Sequence, residues 1–117
     1  MGRGFLIEFM TTLLLCLTYF GSFYKSKHLS NETGLDSLTK LFSHISIGFA
    51  MIIGTFSGLP TGGCMNPARA FASELLSMSW NINSWIYYIA PLLGAIVGGL
   101  VYEFILTKPK KSYIRIK

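Results

Sequence analysis

The residues with the clearest chemical potential in this sequence form one short string, Asn66-Pro67-Ala68-Arg69. Asparagine is a favoured N-cap and proline suits the first helical position, so the string predicts a helix that begins at Pro67. The N-terminus of a helix carries roughly half a positive charge, and the Asn66 amide adds two N–H donors there. Arg69 adds a full charge about one turn further on. Such a tip binds neutral polar molecules and repels cations, including hydronium.

Three apolar runs surround this string and have the length of membrane-spanning helices. They cover residues 5–24, 41–57 and 85–106, and a spanning helix needs about 20 mostly apolar residues. The chain is 51% hydrophobic and only 13% charged, whereas a soluble domain carries about 25% charged residues. We therefore predict an all-α integral membrane protein with a single domain, residues 1–117. It has three transmembrane helices and one re-entrant half-helix.

The half-helix is the element that the string begins, and it covers about residues 67–78. It is too short to cross a bilayer. The residues before it, 57–66, are rich in glycine and small side chains, which permit an irregular backbone that approaches its neighbours closely. Irregular backbone at membrane depth survives only where it is buried in protein or lines a water-filled cavity. We therefore expect an extended entry whose carbonyl groups face a passing solute, followed by the half-helix.

The cations of the chain are unevenly placed. Residues 25–40 form a polar segment that we predict to be a solvated loop, and the tail, residues 107–117, is strongly basic. With three spans these two segments share one face, and the positive-inside rule places that face in the cytoplasm. A tail that directly follows an apolar run is an orienting signal. No alternation of basic and aromatic residues favours a nucleic-acid partner, so the predicted partner is the lipid bilayer.

The central string resembles a motif of a known family. Residues Gly62-Gly63-Cys64-Met65-Asn66-Pro67-Ala68-Arg69-Ala70-Phe71 are similar to the second Asn-Pro-Ala box of the aquaporin, or major intrinsic protein, family. The flanking segments resemble its fourth, fifth and sixth spans in the correct order: Gly2-Arg3 with Glu8 and Thr11-Thr12, then Ile47 to Ala50, then Trp85 to Gly94. Gly63-Cys64-Met65 and Trp85-Ile86-Tyr87 are most similar to the aquaporin-8 type, which passes water, ammonia and hydrogen peroxide.

The resemblance implies roles for the matched residues. Asn66 would donate hydrogen bonds at the pore centre, Pro67 and Ala68 would line the pore beside it, and Arg69 would form part of the selectivity filter. Glu8 would be a buried carboxylate that accepts hydrogen bonds from the box loop. From the residues alone, Glu8 is either such a functional carboxylate or a side chain that snorkels to the membrane interface.

Three further positions near the box bear on the width of the pore. The resemblance implies that Gly54, twelve residues before Asn66, is a filter site. Gly54 and Gly63 together predict a wide constriction at Arg69 that admits solutes larger than water. Cys64 either faces the pore or is a small packed hydrophobe.

The third run contains a small-residue face at Gly94 and Gly98, which predicts close contact with another helix. Trp80, Trp85, Tyr87 and Tyr88 lie at the start of this run, and we interpret them as interfacial anchors at headgroup level. Glu74 stands where the family usually has alanine, in Phe-Gly-Pro-Ala, and we expect it to face the extracellular vestibule.

Family members carry two inverted repeats, and this chain resembles only the second, so we interpret it as a fragment or a truncated product. The predicted function is a passive channel, or part of one, for water and small neutral solutes such as ammonia, hydrogen peroxide or glycerol. The family implies a homotetramer in a plasma or intracellular membrane. The alternative is a non-conducting membrane protein that associates with full-length channel subunits through its glycine-rich faces. No residue pattern favours an enzyme, a cofactor or a metal site.

Overall fold

The computed structural model describes residues 2–33 and 36–106, which form four α-helices and a final π-helical segment. In chain order these are α1 (Gly2–Thr33), α2 (Asp36–Ser57), α3 (Pro67–Ser77), α4 (Trp85–Val101) and the π-helical segment (Tyr102–Leu106). The described residues contain no strand. The all-α prediction is therefore confirmed.

Three stretches of helix are long and apolar enough to cross a membrane: Gly2–Phe23, Ser37–Ser57 and Trp85–Leu106. Helix α3 has only 11 residues, about half of what a span needs. It ends at Ser77 because Met78 adopts a left-handed conformation, φ 50°, whose N–H bonds back to the Glu74 and Leu75 carbonyls. The sequence-predicted set of three long helices and one short one is present.

The prediction of a solvated loop over residues 25–40 is wrong for most of that segment. Helix α1 continues to Thr33, and α2 already begins at Asp36. Polar side chains show where a helix leaves an apolar layer, but they do not end it, because lysine and glutamate are good helix formers. Gly34 is the only glycine between residues 22 and 47, and no proline occurs there. The predicted cytoplasmic basic tail, residues 107–117, lies outside the described residues.

Helix α1 is the central element, and it packs against both α2 and α4. Its contact with α4 is close because two buried glycines, Gly94 and Gly98, face it. A Cβ atom at Gly94 would lie 2.5 Å from the Phe9 carbonyl oxygen, and one at Gly98 would lie 3.1 Å from the Cys16 Cβ. The small-residue face that the sequence predicts is therefore used inside the chain, against α1.

Aromatic pairs flank this interface at both ends. The rings of Phe5 and Trp85 lie 5.9 Å apart, and those of Phe20 and Tyr102 lie 5.7 Å apart. Such pairs add roughly 0.5–1.5 kcal/mol beyond the area that they bury. The Phe5–Trp85 pair lies at the N-terminal parts of α1 and α4, and the Phe20–Tyr102 pair lies where α4 ends.

Candidate functional site

The connection between α2 and α3 is a chain of tight turns. The Gly58 N–H donates to the Gly54 carbonyl at 2.9 Å, and the Thr61 N–H donates to the Gly58 carbonyl at 2.9 Å. Gly62 and Gly63 then adopt positive φ angles of 91° and 55°. Residues with a side chain rarely adopt such angles. The glycines therefore allow the backbone to turn back toward α1.

Glu8 of α1 holds this connection in place. Its side chain is fully buried, and three donors converge on it. The Thr61 hydroxyl donates to Oε1 at 2.7 Å, the Cys64 N–H to Oε1 at 3.0 Å, and the Met65 N–H to Oε2 at 2.8 Å. Charge-assisted bonds of this kind are roughly twice as strong as neutral ones. Of the two alternatives for Glu8, the structure places it as the buried acceptor, so the snorkelling interpretation is wrong.

Two further hydrogen bonds support the contacts between Glu8 and the α2–α3 connection. The Tyr87 hydroxyl donates to the Thr61 carbonyl at 2.8 Å, so Thr61 is bonded to α1 through its side chain and to α4 through its backbone. On α1, the Thr12 hydroxyl donates to the Glu8 backbone carbonyl at 2.7 Å. The loop is thus tied to both helices of the packed pair.

The tip of α3 has the geometry that its sequence predicts. Asn66 is the N-cap, with an extended backbone at φ −151° and ψ 116°, and its Oδ1 accepts the Ala68 N–H at 2.9 Å. Pro67 occupies the first position. Because the amide oxygen is bonded inward, the Asn66 NH2 group is directed away from the helix end. The next charged side chain, Arg69, is exposed, and its Nη1 donates to the Gly63 carbonyl at 3.4 Å.

A cavity of about 220 Å³ lies beside this tip, and its wall is formed by α3, α4 and the loop. Its lining includes Gly62, Cys64, Arg69, Ser73, Glu74 and Tyr87. Cys64 is half-buried, and its Sγ–H donates to the Asn66 carbonyl at 3.2 Å. Between the two alternatives for Cys64, the structure places its side chain in the wall of this cavity.

Gly54 and Gly63, for which the sequence predicts a role in the filter, are both closely packed. Gly54 is buried, and a Cβ atom there would lie 2.5 Å from the Met65 Sδ. Gly63 is also buried, and its Cβ would lie 2.9 Å from the Thr55 Cα and carbonyl oxygen. Neither glycine leaves open space beside its own Cα, and the wide constriction at Arg69 stays a prediction. Glycine permits close packing at both positions, and the Met65 side chain of the α2–α3 connection occupies the space beside Gly54.

Comparison with known proteins gives the same assignment as the motif. The family description "Major intrinsic protein" matches residues 1–102, which is most of the chain. The chain belongs to the major intrinsic protein family. With its three long apolar helices, this major intrinsic protein is an integral membrane protein.

Individual relatives agree. The chain is 36% identical over 107 residues to the lens fiber major intrinsic protein of Lithobates pipiens, covering 91% of this chain and 37% of that protein. It is 32% identical over 117 residues to aquaporin-4 of Rattus norvegicus, covering 99% and 33%. It is 34% identical over 112 residues to aquaporin-2 of Homo sapiens, covering 95% and 38%. The chain thus spans 33–38% of the length of these relatives. No solved structure matches it significantly.

Two residues of this major intrinsic protein have polar contacts that the sequence analysis missed. Tyr87 and Tyr88 were interpreted as interfacial anchors, yet both hydroxyls donate inside the protein, to Thr61 and to Glu74. The available signal was the conjunction of two adjacent tyrosines with an acidic residue, Glu74, at the end of a short helix. Composition alone does not distinguish a ring that rests at the headgroups from one that bonds a neighbouring loop.

Proposed function

We propose that this chain is a passive membrane channel, or part of one, for water and small neutral solutes such as ammonia, hydrogen peroxide or glycerol. One observation carries the proposal: Asn66 caps α3 with its oxygen, so its NH2 donors and the partial positive charge of the helix end point the same way. A neutral solute is bound there by hydrogen bonds, whereas a cation is repelled. Transport needs no covalent step and no cofactor.

The loop contributes the other wall of the proposed path. Glu8 accepts the N–H groups of Cys64 and Met65. In a trans peptide the carbonyl oxygen points opposite to the N–H, so the Gly63 and Cys64 carbonyls are directed away from α1. This arrangement supports a row of acceptors along the entry to the Asn66 tip. Donors at the tip and acceptors before it are what a small polar solute requires when it leaves bulk water.

We also propose that the chain is the second half of a two-repeat channel, with spans, half-helix and cytoplasmic tail in the order given by the sequence. The missing walls of the path would then come from the other repeat. The choice of ammonia and hydrogen peroxide rests on the sequence resemblance of Gly63-Cys64-Met65 to the aquaporin-8 type alone. The Met65 side chain against Gly54 favours these small molecules over glycerol.

The small-residue faces of α4 bear on the alternative function. A non-conducting partner of channel subunits was expected to bind them through its glycines, but Gly94 and Gly98 are buried against α1. That face is occupied within the chain. The alternative therefore remains only as an outcome of the test.

The test is stopped-flow light scattering on proteoliposomes that contain the whole chain. We expect water permeability above that of empty vesicles, and at least a severalfold decrease in Asn66→Asp and Arg69→Val. The matched control is Asn81→Asp, because the Asn81 Oδ1 also accepts a backbone N–H two residues on, from Asn83 at 2.9 Å, but outside the tip. If no variant differs from the parent while the chain co-purifies with co-expressed channel subunits, the alternative function is supported.

A further inference from the structure

Two opposite charges share the cavity beside the tip of α3. Arg69 and Glu74 both line it, and the other lining side chains are uncharged. The carboxylate has a fixed position, because the Tyr88 hydroxyl of α4 donates to the Glu74 Oε2 at 2.7 Å. Glu74 is half-buried and Arg69 is exposed. A solute that enters the cavity therefore meets a guanidinium and an oriented carboxylate at the same time.

An arginine alone would make such a cavity a barrier to cations. The interaction between unit charges scales inversely with distance and dielectric constant, so it is strongest in a small space bounded by protein. A carboxylate in the same space produces a potential of opposite sign, and the two fields offset each other. With Tyr88 restricting the carboxylate, this compensation does not depend on a free side chain.

We propose that Glu74, positioned by Tyr88, is a specificity-determining residue that offsets the charge of Arg69, so that the cavity admits small ammonium-type cations. This role rests on the proposed channel function. The main barrier to cations then lies at the Asn66 tip, where the positive end of α3 and the amide donors meet the solute. The cavity then no longer repels a protonated amine, which releases its proton to bulk water before its neutral form passes the tip.

Cys64 provides a direct probe of this potential, since it lines the same cavity. The chain has one other cysteine, Cys16, so a Cys16→Ala background leaves a single reporter thiol. The experiment measures the rates at which Cys64 reacts with a cationic trimethylammonium methanethiosulfonate and with an anionic sulfonate analogue. The ratio of the two rates reports the sign and size of the local potential, and no transport is needed for the measurement.

We expect Glu74→Gln to lower the ratio of cationic to anionic rates by roughly fivefold to tenfold, the effect of removing one unit charge from the same partly solvated cavity. Tyr88→Phe keeps the charge and releases the carboxylate, so a smaller decrease is expected. The matched control is Glu103→Gln, which removes an exposed carboxylate on the π-helical segment. It should leave the ratio unchanged.

An equal ratio in the parent and in Glu74→Gln overturns the proposal, as does a Cys64 thiol that reacts with neither reagent. The water-permeability test separates this result from the proposed function. Water flux with an unchanged ratio refutes the role of Glu74 alone. A lowered ratio without water flux supports the charge balance in the cavity and refutes the channel.

Discussion

Helix α1 makes two contacts of opposite character, and they are specified by different physics. Toward α4 it forms a shape interface, which depends on close packing: Gly94 and Gly98 have no side chain, so the two backbones approach closely. Toward the α2–α3 connection it forms a polar interface, in which the Glu8 carboxylate accepts hydrogen bonds from three donors. The first is sensitive to added volume, whereas the second is sensitive to a lost acceptor. A residue near Glu8 and one near Gly94 should therefore respond differently to substitutions of similar size.

The largest effect should come from Glu8→Leu. It leaves the buried N–H groups of Cys64 and Met65 without their acceptor, and each unsatisfied group costs about 1–3 kcal/mol. We expect the free energy of unfolding to fall by roughly 2–6 kcal/mol, measured by SDS titration in mixed micelles. Glu8→Gln keeps one acceptor oxygen and should be intermediate. If Glu8→Leu unfolds at the same SDS fraction as the parent, the polar interface does not hold the loop.

A smaller effect is expected from adding a single methyl group to the shape interface. Gly94→Ala places a Cβ 2.5 Å from the Phe9 carbonyl oxygen, so the helices must separate, at a cost of about 1–3 kcal/mol.

The matched control is Gly48→Ala in α2, where nothing lies within 4 Å of the added atom. Alanine is the better helix former by up to about 1 kcal/mol, so this variant should equal or exceed the parent in stability. The same unfolding titration compares the two. Equal destabilisation by both would mean that the close approach at Gly94 has no energetic weight.

The smallest of these effects is predicted for Tyr87→Phe. It removes one hydrogen bond, from the Tyr87 hydroxyl to the Thr61 carbonyl, and retains the ring. The expected loss is about 0.5–1.5 kcal/mol, together with faster amide hydrogen exchange at Cys64 and Met65. Tyr19→Phe on the half-exposed ring of α1 is the control. If the amides of Cys64 and Met65 exchange no faster in Tyr87→Phe than in the parent, the Tyr87 hydrogen bond does not stabilise the connection. Glu8 and its three donors would then account for the polar interface.

The sequence was sufficient where local chemistry decides the structure. An asparagine followed by proline predicts a capped helix start, and Asn66 and Pro67 form one. The length of the apolar runs predicts three long helices, because a bilayer sets that length. Glu8 was narrowed to two alternatives, because a lone carboxylate in an apolar run must either find donors or reach water.

The sequence was insufficient where a residue's role depends on a partner far away in the chain. Gly54 was predicted to widen a constriction, but a glycine leaves open space only if no neighbouring side chain occupies it. Here the Met65 side chain occupies the space beside Gly54. The Tyr87–Thr61 bond joins residues 26 positions apart and leaves no local pattern. The extension of α1 to Thr33 was missed because polarity was taken as the end of a helix.

The backbone conformation of Met65 favours a glycine at position 65, whereas the packing of its side chain favours a methionine. Its φ angle of 50° is one that glycine adopts far more easily, while its sulfur occupies the space over Gly54. A glycine at position 65 would relax the backbone and leave a void, and a larger residue at position 54 would collide with the methionine. Positions 54 and 65 therefore fill the same space. A larger side chain at one of them requires a smaller side chain at the other.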